Sequence, residues 1–374
     1  MRIIERGIIF DGARAAPDER SCAFTSATQL QNGAVLVAFR IGTGRDAPDG
    51  RLRIMRSGDE GRNWETLHAG MTAIVDGVEG NFYSGYFTEL APGRLLGAFV
   101  WVDRSNPELS FVNPDTAGVL TMKALLAEST DGGEHWGAFR EVDLGPETGC
   151  SVAGPIFGLP HGRLALPYDS WKEDDDPAPG HHAARLAVSD DDGATWPGRL
   201  IVAESPDSKT FYWDQRITAH PETGELVAMF WTHDRDAATD IDNHIAWGST
   251  TAERWSDPVS AGWRGQHCQP ISLGGDRLAA AYVHRHDPPS LRLVLSDDFG
   301  RTWDRDGELT FYDSRIGTEA GVSGPRQFED FWQDMMAWRF GHPRGLRLPN
   351  GDLFIAYYAG SAGASTMEWV RTEL

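Results

Sequence analysis

The stretch Ser129-Thr-Asp131-Gly-Gly133-Glu-His-Trp136 decides how this chain reads, because close copies of it recur. They are Ser57-Gly-Asp59-Glu-Gly61-Arg-Asn-Trp64, Ser189-Asp-Asp191-Asp-Gly193-Ala-Thr-Trp196 and Ser296-Asp-Asp298-Phe-Gly300-Arg-Thr-Trp303. Each has the form S-x-D-x-G-x-x-W and follows a strand-like run such as Arg51-Leu-Arg-Ile-Met-Arg56 or Leu291-Arg-Leu-Val-Leu295. The chemistry is that of a tight turn. The Asp carboxylate accepts backbone N–H bonds, Gly supplies a positive φ, and Trp packs against the sheet. Recurrence along the chain means a protein built from equivalent β-units. The Asp residues therefore read as turn formers, not catalysts.

A second repeat lies upstream of each turn. The segments Gln31-Asn-Gly33, Ala91-Pro-Gly93, Pro160-His-Gly162, Pro221-Glu-Thr-Gly224, Gly274-Gly-Asp276 and Pro349-Asn-Gly351 each precede a β-rich run. Those runs are Val35–Phe39, Leu95–Phe99, Leu164–Tyr168, Leu226–Phe230, Leu278–Tyr282 and Leu353–Tyr357. Hairpins repeated in this way predict six blades. The fourth box has decayed to Gly248-Ser-Thr-Thr-Ala-Glu-Arg-Trp255, which keeps the Trp but neither Asp nor Gly. The sixth unit runs out after Ser365–Arg371, one strand short, and Ile3–Phe10 is expected to supply that strand and close the ring.

The S-x-D-x-G-x-x-W turn is the Asp box, and the chain resembles the sialidase-like β-propellers over nearly its whole length. The resemblance implies an all-β, six-bladed propeller of four-stranded blades, a single domain spanning 1–374. The motif marks an architecture and not an activity, since lectin-like proteins carry it too.

Composition agrees with that expectation. Forty-two Gly, 21 Pro and 14 Trp in 374 residues suit many short strands joined by irregular loops. A net charge of −21, from 34 basic and 55 acidic residues, argues against nucleic acid and anionic membrane surfaces as partners. No apolar run is long enough to span a bilayer, and Met1–Phe10 lacks the features of a signal peptide. Cys22, Cys150 and Cys268 give neither a disulfide framework nor a close metal pair, so no metal or cofactor is expected and a cytoplasmic location is the simplest reading. Composition does not address oligomeric state.

In an up-and-down blade, the loops after the second strand and the links between blades share one end, where a ring presents them around a central depression. Those segments hold a concentration of Arg, His, carboxylate and aromatic residues that suits a polyhydroxylated or acidic ligand. The substrate-binding candidates are Arg40, Arg45, Trp171, His182, Trp213, Arg216, Arg235, His267, Arg285 and Arg339. Asp169, Tyr83 and Arg104 fall on the same face without a specific role. The long link from about 304 to 339, with its run Phe328–Trp338, reads as a rim or lid over the depression.

Sialidases of this fold hold the substrate carboxylate with three arginines, the first on the opening strand of blade one. Here that strand, Cys22–Leu30, has none. The family's acid/base Asp follows the second strand of blade one, where Arg45-Asp-Ala-Pro-Asp49 stands, so the resemblance nominates Asp49 and, second, Asp46. The family's Tyr nucleophile enters blade six and its partner Glu enters blade four. The matching segments are Phe340-Gly-His342 and Tyr212-Trp-Asp214-Gln-Arg216, with no Tyr in the first and an Asp in the second. Sialic acid hydrolysis is therefore not expected. Two chemistries fit. In glycoside hydrolysis, Asp49 and Asp214 would flank the scissile bond. In elimination from a uronate, His342, Tyr212 or His267 would take the proton α to a carboxylate that Arg216 and Arg235 neutralise. The leading expectation is an exo-acting glycoside hydrolase on a small carbohydrate, with an acidic sugar matching the arginines. A lyase follows it, and a non-catalytic sugar-binding propeller is the third reading.

Overall fold

The computed structural model describes residues 1–145, 149–314, 338–361 and 363–374. Their regular structure is β-strand throughout, apart from three single-turn 3₁₀ segments, and every strand pairs antiparallel with its neighbours. The second strand of each unit is the most buried. All eight residues of Val35–Gly42 are buried, as are all six of Leu164–Asp169. An unbroken apolar run of this kind fits a strand covered on both faces. Outer strands such as Glu65–Val75 contain no buried residue.

The strands form five hydrogen-bonded sheets. One runs Gln266–Gly274, Arg277–His284, Ser290–Ser296, Asp304–Asp313. A second runs Thr210–Ala219, Leu226–Asp234, Asp242–Gly248, Val259–Arg264, with Thr239–Asp240 at its side. A third runs Ser151–Val152, Leu164–Asp169, Ala184–Ser189, Gly198–Ala203, with Phe157–Gly158 at its side. The fourth joins the two ends of the chain, because Arg2–Phe10 pairs with Ala364–Glu373, which continues to Leu353–Ser361 and Phe340–Arg347.

The fifth sheet is eight-stranded and runs from Ser21–Gln29 to Arg140–Glu141. It is continuous because Glu65–Val75 turns directly into Val78–Ala91 through Asp76-Gly77, with φ of 53° and 81°. Two consecutive positive φ values on an Asp-Gly pair are the signature of a type I′ hairpin, so two units expected to be separate share a ladder.

The core lies between sheets. Six hydrophobic clusters each draw on two neighbouring units, such as Leu36, Leu52 and Ile54 against Phe82, Phe99 and Trp101. One of the six packs Val35, Val37 and Phe39 against Phe354, Tyr358 and Trp369, and so joins the beginning of the chain to its end. Each fully buried side chain of this size contributes about 1.5–3 kcal/mol.

The Asp boxes form the turns that their sequence dictates. In the first, Ser57 Oγ bonds Asp59 Oδ1 at 2.9 Å, the Gly61 N–H donates to Ser57 Oγ at 2.8 Å, and the Asn63 N–H donates to Asp59 Oδ1 at 2.8 Å. Trp64 Nε1 donates back to the Gly61 carbonyl at 2.7 Å. The decayed box keeps this shape: Ala252 stands at φ 60° in place of Gly, and Trp255 Nε1 donates to its carbonyl at 2.9 Å. The long link is shorter than expected, because Asp304–Asp313 is the outer strand of its sheet. The rest of the expected rim, 315–337, lies outside the described residues.

Candidate active site

Five innermost strands lose register at the same depth. Pairing skips Phe24 between Ala23 and Ser26, Tyr83 between Phe82 and Ser84, Asp214 between Trp213 and Arg216, His267 between Gln266 and Cys268, and His342 between Gly341 and Arg344. A bulge turns its extra residue out of the ladder. Here all five line one cavity of about 120 Å³. Phe24, Asp214 and His342 stand at φ of 55°, 55° and 46°. Left-handed backbone on non-glycine residues is strained by about 1–3 kcal/mol each and concentrates at functional sites.

Asp214 is the centre of the polar wall. Its Oδ1 pairs with Arg216 Nη2 at 2.5 Å, and its Oδ2 bonds His267 Nδ1 at 2.5 Å. Burial alone would raise its carboxyl, but Arg216 and His267 overcome that and hold it well below the usual range. Asp169, in the adjacent sheet, goes the other way: burial, then the charge on Asp214, push it up to about 8. Two neighbouring carboxyls are thus pushed in opposite directions, the pattern by which acid and base roles are told apart. Burial lowers His267 to about 3 and takes His342 well below the imidazole range. The two rings lie 4.7 Å apart. His267 Nε2 and His342 Nδ1 are buried with no hydrogen-bond partner among the described residues.

The opposite wall belongs to Asp46 and Tyr83. Tyr83 is raised by burial and by its contact with Asp46, and accepts from Arg104 Nη2 at 2.8 Å. Arg285 also lines the cavity, with Nε on Gln266 Oε1 at 3.1 Å and Nη2 on the Phe340 carbonyl at 2.7 Å. Burial lowers it to about 10, still charged at neutral pH, and the same holds for Arg344 beneath the histidines. An indole bank completes the lining: Trp213 lies 4.4 Å from Trp231 and 6.5 Å from Trp171, nearly parallel to both.

Of the residues singled out from the sequence, Asp46, Asp214, His342, Arg45, Trp171, His182, Trp213, Arg216, His267 and Arg285 line the cavity. Others are placed elsewhere. Asp49 is exposed and accepts from the Thr43 N–H and from Thr43 Oγ1 at 3.0 Å, which closes its own loop. Tyr212 points to the far side of its sheet, into the cluster with Phe230 and His244. Arg40 is buried and donates to Asn81 Oδ1 and to the Arg45, Ala47 and Phe82 carbonyls. Arg235 covers the Phe211 ring at 5.0 Å, and Arg339 lines a smaller neighbouring cleft with Arg20 and Arg45. Phe24, Tyr86 and Trp231 line the cavity without a sequence signal that marks them, and so does Trp338, the last residue of the aromatic run expected at the rim. Asp169 carried one, its place at the end of a second strand, but no pattern separated it from other loop carboxylates.

Asp214, His267 and His342 also bring a carboxylate oxygen and two ring nitrogens within 4.8 Å of one another, a metal-like set that no spacing in the sequence reveals. Arg45, Arg216, Arg285 and Arg344 stand around it, and Arg216 already holds Asp214. At an effective dielectric of about 20, a guanidinium about 5 Å from a divalent ion opposes it by roughly 7 kcal/mol. Those guanidiniums disfavour a divalent cation in this corner.

No family model and no curated protein matches the sequence. Solved structures do match in shape. A protein of unknown function from Dyadobacter fermentans has a TM-score of 0.71 at 19% identity, over 99% of this chain and 98% of that one. The α-L-arabinanase of Penicillium chrysogenum, solved with arabinobiose, has a TM-score of 0.63 at 15% identity, over 100% and 99%. The leech intramolecular trans-sialidase has a TM-score of 0.64 at 12% identity, over 98% and 70%. At these identities the likeness is one of fold: the chain has the β-propeller architecture on which glycoside hydrolases are built.

Proposed function

We propose that this chain is an exo-acting glycoside hydrolase that removes an acidic sugar from a small oligosaccharide, on a propeller of six four-stranded blades. Splitting the eight-stranded sheet at Asp76-Gly77 supports that blade count, because it leaves six units matched by six inter-unit clusters. One observation carries the functional reading. Inside a protein of net charge −21, a small cavity gathers Arg45, Arg216 and Arg285 around two carboxyls, Asp169 and Asp214, that their surroundings shift in opposite directions. Guanidiniums recognise a carboxylate, and a closed depression admits a chain end more readily than a chain interior. The glycoside hydrolases among the structural neighbours make sugar the natural ligand class.

Asp46 and Asp214 come from units one and four, opposite each other in a ring of six, and bracket the sugar. Asp46 protonates the leaving oxygen as the glycosidic bond breaks and then takes a proton from the water that adds to the anomeric carbon, while Asp214, held ionised, stabilises the positive charge there. Asp46→Asn and Asp214→Asn should each lower turnover about 100-fold or more on a panel of acidic disaccharides, with the fold intact. Native turnover in both variants would sink this assignment, and saturable binding without cleavage would leave a sugar-binding propeller.

A second reading has its own observation. Both Asp214 oxygens are engaged, and His267, which lines the cavity, has its buried Nε2 without a partner among the described residues. That is the geometry of an oriented imidazole base, suited to β-elimination from a uronate. Product analysis decides: an unsaturated, ultraviolet-absorbing uronate means elimination, and a saturated sugar means hydrolysis.

A further inference from the structure

Asp214 adopts a backbone conformation that an L-residue takes reluctantly, so something must fix it there. Its N–H donates to Asp169 Oδ2 at 2.8 Å. The next residue in the bulge, the fully buried Gln215, donates through Nε2 to the Tyr168 carbonyl at 2.7 Å, the Arg185 carbonyl at 3.0 Å and Asp169 Oδ1 at 3.2 Å. Both residues skipped by the ladder are therefore tethered to the neighbouring sheet, and both tethers meet at one carboxyl group.

We propose that Asp169 is a positioning residue: it fixes the left-handed turn at Asp214 and, through that carboxylate, the orientation of the His267 ring. The inference rests on the reading of Asp214 as functional, and it holds for hydrolysis and elimination alike. A neutral carboxyl suits the task, because it accepts the Asp214 N–H without adding a second negative charge beside Asp214. Burial and the charge on Asp214 both push Asp169 toward that neutral form.

The test does not need the natural substrate. His267 Nδ1 bonded to Asp214 at 2.5 Å should give a far-downfield imidazole proton resonance, assigned by its loss in His267→Gln. Asp169→Ala should abolish or broaden that signal while the melting curve remains cooperative. Asp169→Asn, whose amide oxygen can still accept the Asp214 N–H, should restore it. With 4-nitrophenyl uronides as probes, Asp169→Ala should lower kcat about 100-fold with little change in KM, the effect of a misplaced reacting group. If Asp169→Ala does not fold, Gln215→Ala removes the other tether and is read in the same way. An unchanged resonance in Asp169→Ala overturns the inference, as does an Asn variant as impaired as Ala. If Asp214→Asn itself leaves turnover untouched, the functional reading fails, and the two failures are told apart.

Discussion

Asp298 accepts three hydrogen bonds within its turn, from Ser296 Oγ at 2.8 Å, the Thr302 N–H at 2.8 Å and Thr302 Oγ1 at 2.6 Å. Although burial pulls the other way, those bonds set its carboxyl below the usual range, and Asp59 and Asp191 fall to about 2 for the same reason. A carboxyl depressed on folding stabilises above its unfolded pKa near 4, and that stability is lost as pH falls through the folded value. Asp298→Asn should therefore lower stability by about 1 kcal/mol at neutral pH, a modest figure because water screens the turn. The difference from the parent should shrink in melts carried toward pH 2. Turnover of the folded variant should be unchanged, and lost activity at full stability would contradict a purely structural Asp box. At this scale, legibility followed locality. The box bonds span four residues or fewer, so the motif exposed them. Asp46, Asp214, His267 and Arg285 were readable as cavity candidates because polar residues at one end of successive strands converge. Asp49 was not separable from Asp46, since which carboxylate turns inward depends on the fold of the loop between them. Asp169 was hidden because its protonation is set by burial and by a neighbour 45 residues away.

Turn chemistry sets the elements, and glycine shows how. Gly77, in the Asp-Gly hairpin, stands at φ 81° with open space where a Cβ would point. Gly77→Ala should thus lower stability by only about 1 kcal/mol, through backbone strain alone. Gly61 stands at φ 96°, and a Cβ there would come within 2.8 Å of the Phe354 ring. Gly61→Ala should cost clearly more, because it adds overpacking between the first and last units. Equal melting temperatures for the two variants would refute the distinction. Strand positions were legible because the apolar runs are long and bounded by Gly turns. The bulges were not, since a skipped residue is defined by its partner strand, and no single strand announces where pairing will slip. Nor was the fused eight-stranded sheet: Val75-Asp-Gly-Val78 reads as a hairpin only once both flanking segments are known to be strands.

For the whole molecule, the contrast between an acidic exterior and an arginine-lined interior has a kinetic consequence. Net charge −21 opposes the approach of an anionic sugar, and added salt screens that long-range term more than the buried contacts inside. kcat/KM for an acidic substrate should hold or rise between low and moderate ionic strength. A steep fall would mean that exposed basic residues steer the ligand. The repeated β-units could be anticipated from the sequence, whereas the cavity could not be sized, because strands fix the frame but side chains fix what remains empty. The pairing of Arg2–Phe10 with Ala364–Glu373 reaches further than shape. Arg2 and Glu373, which share an ion pair, lie 371 positions apart, so during synthesis the first strand waits unzipped until its partner has left the ribosome. Until that pairing forms, the first strand keeps an unsatisfied edge of the kind that can pair with another chain.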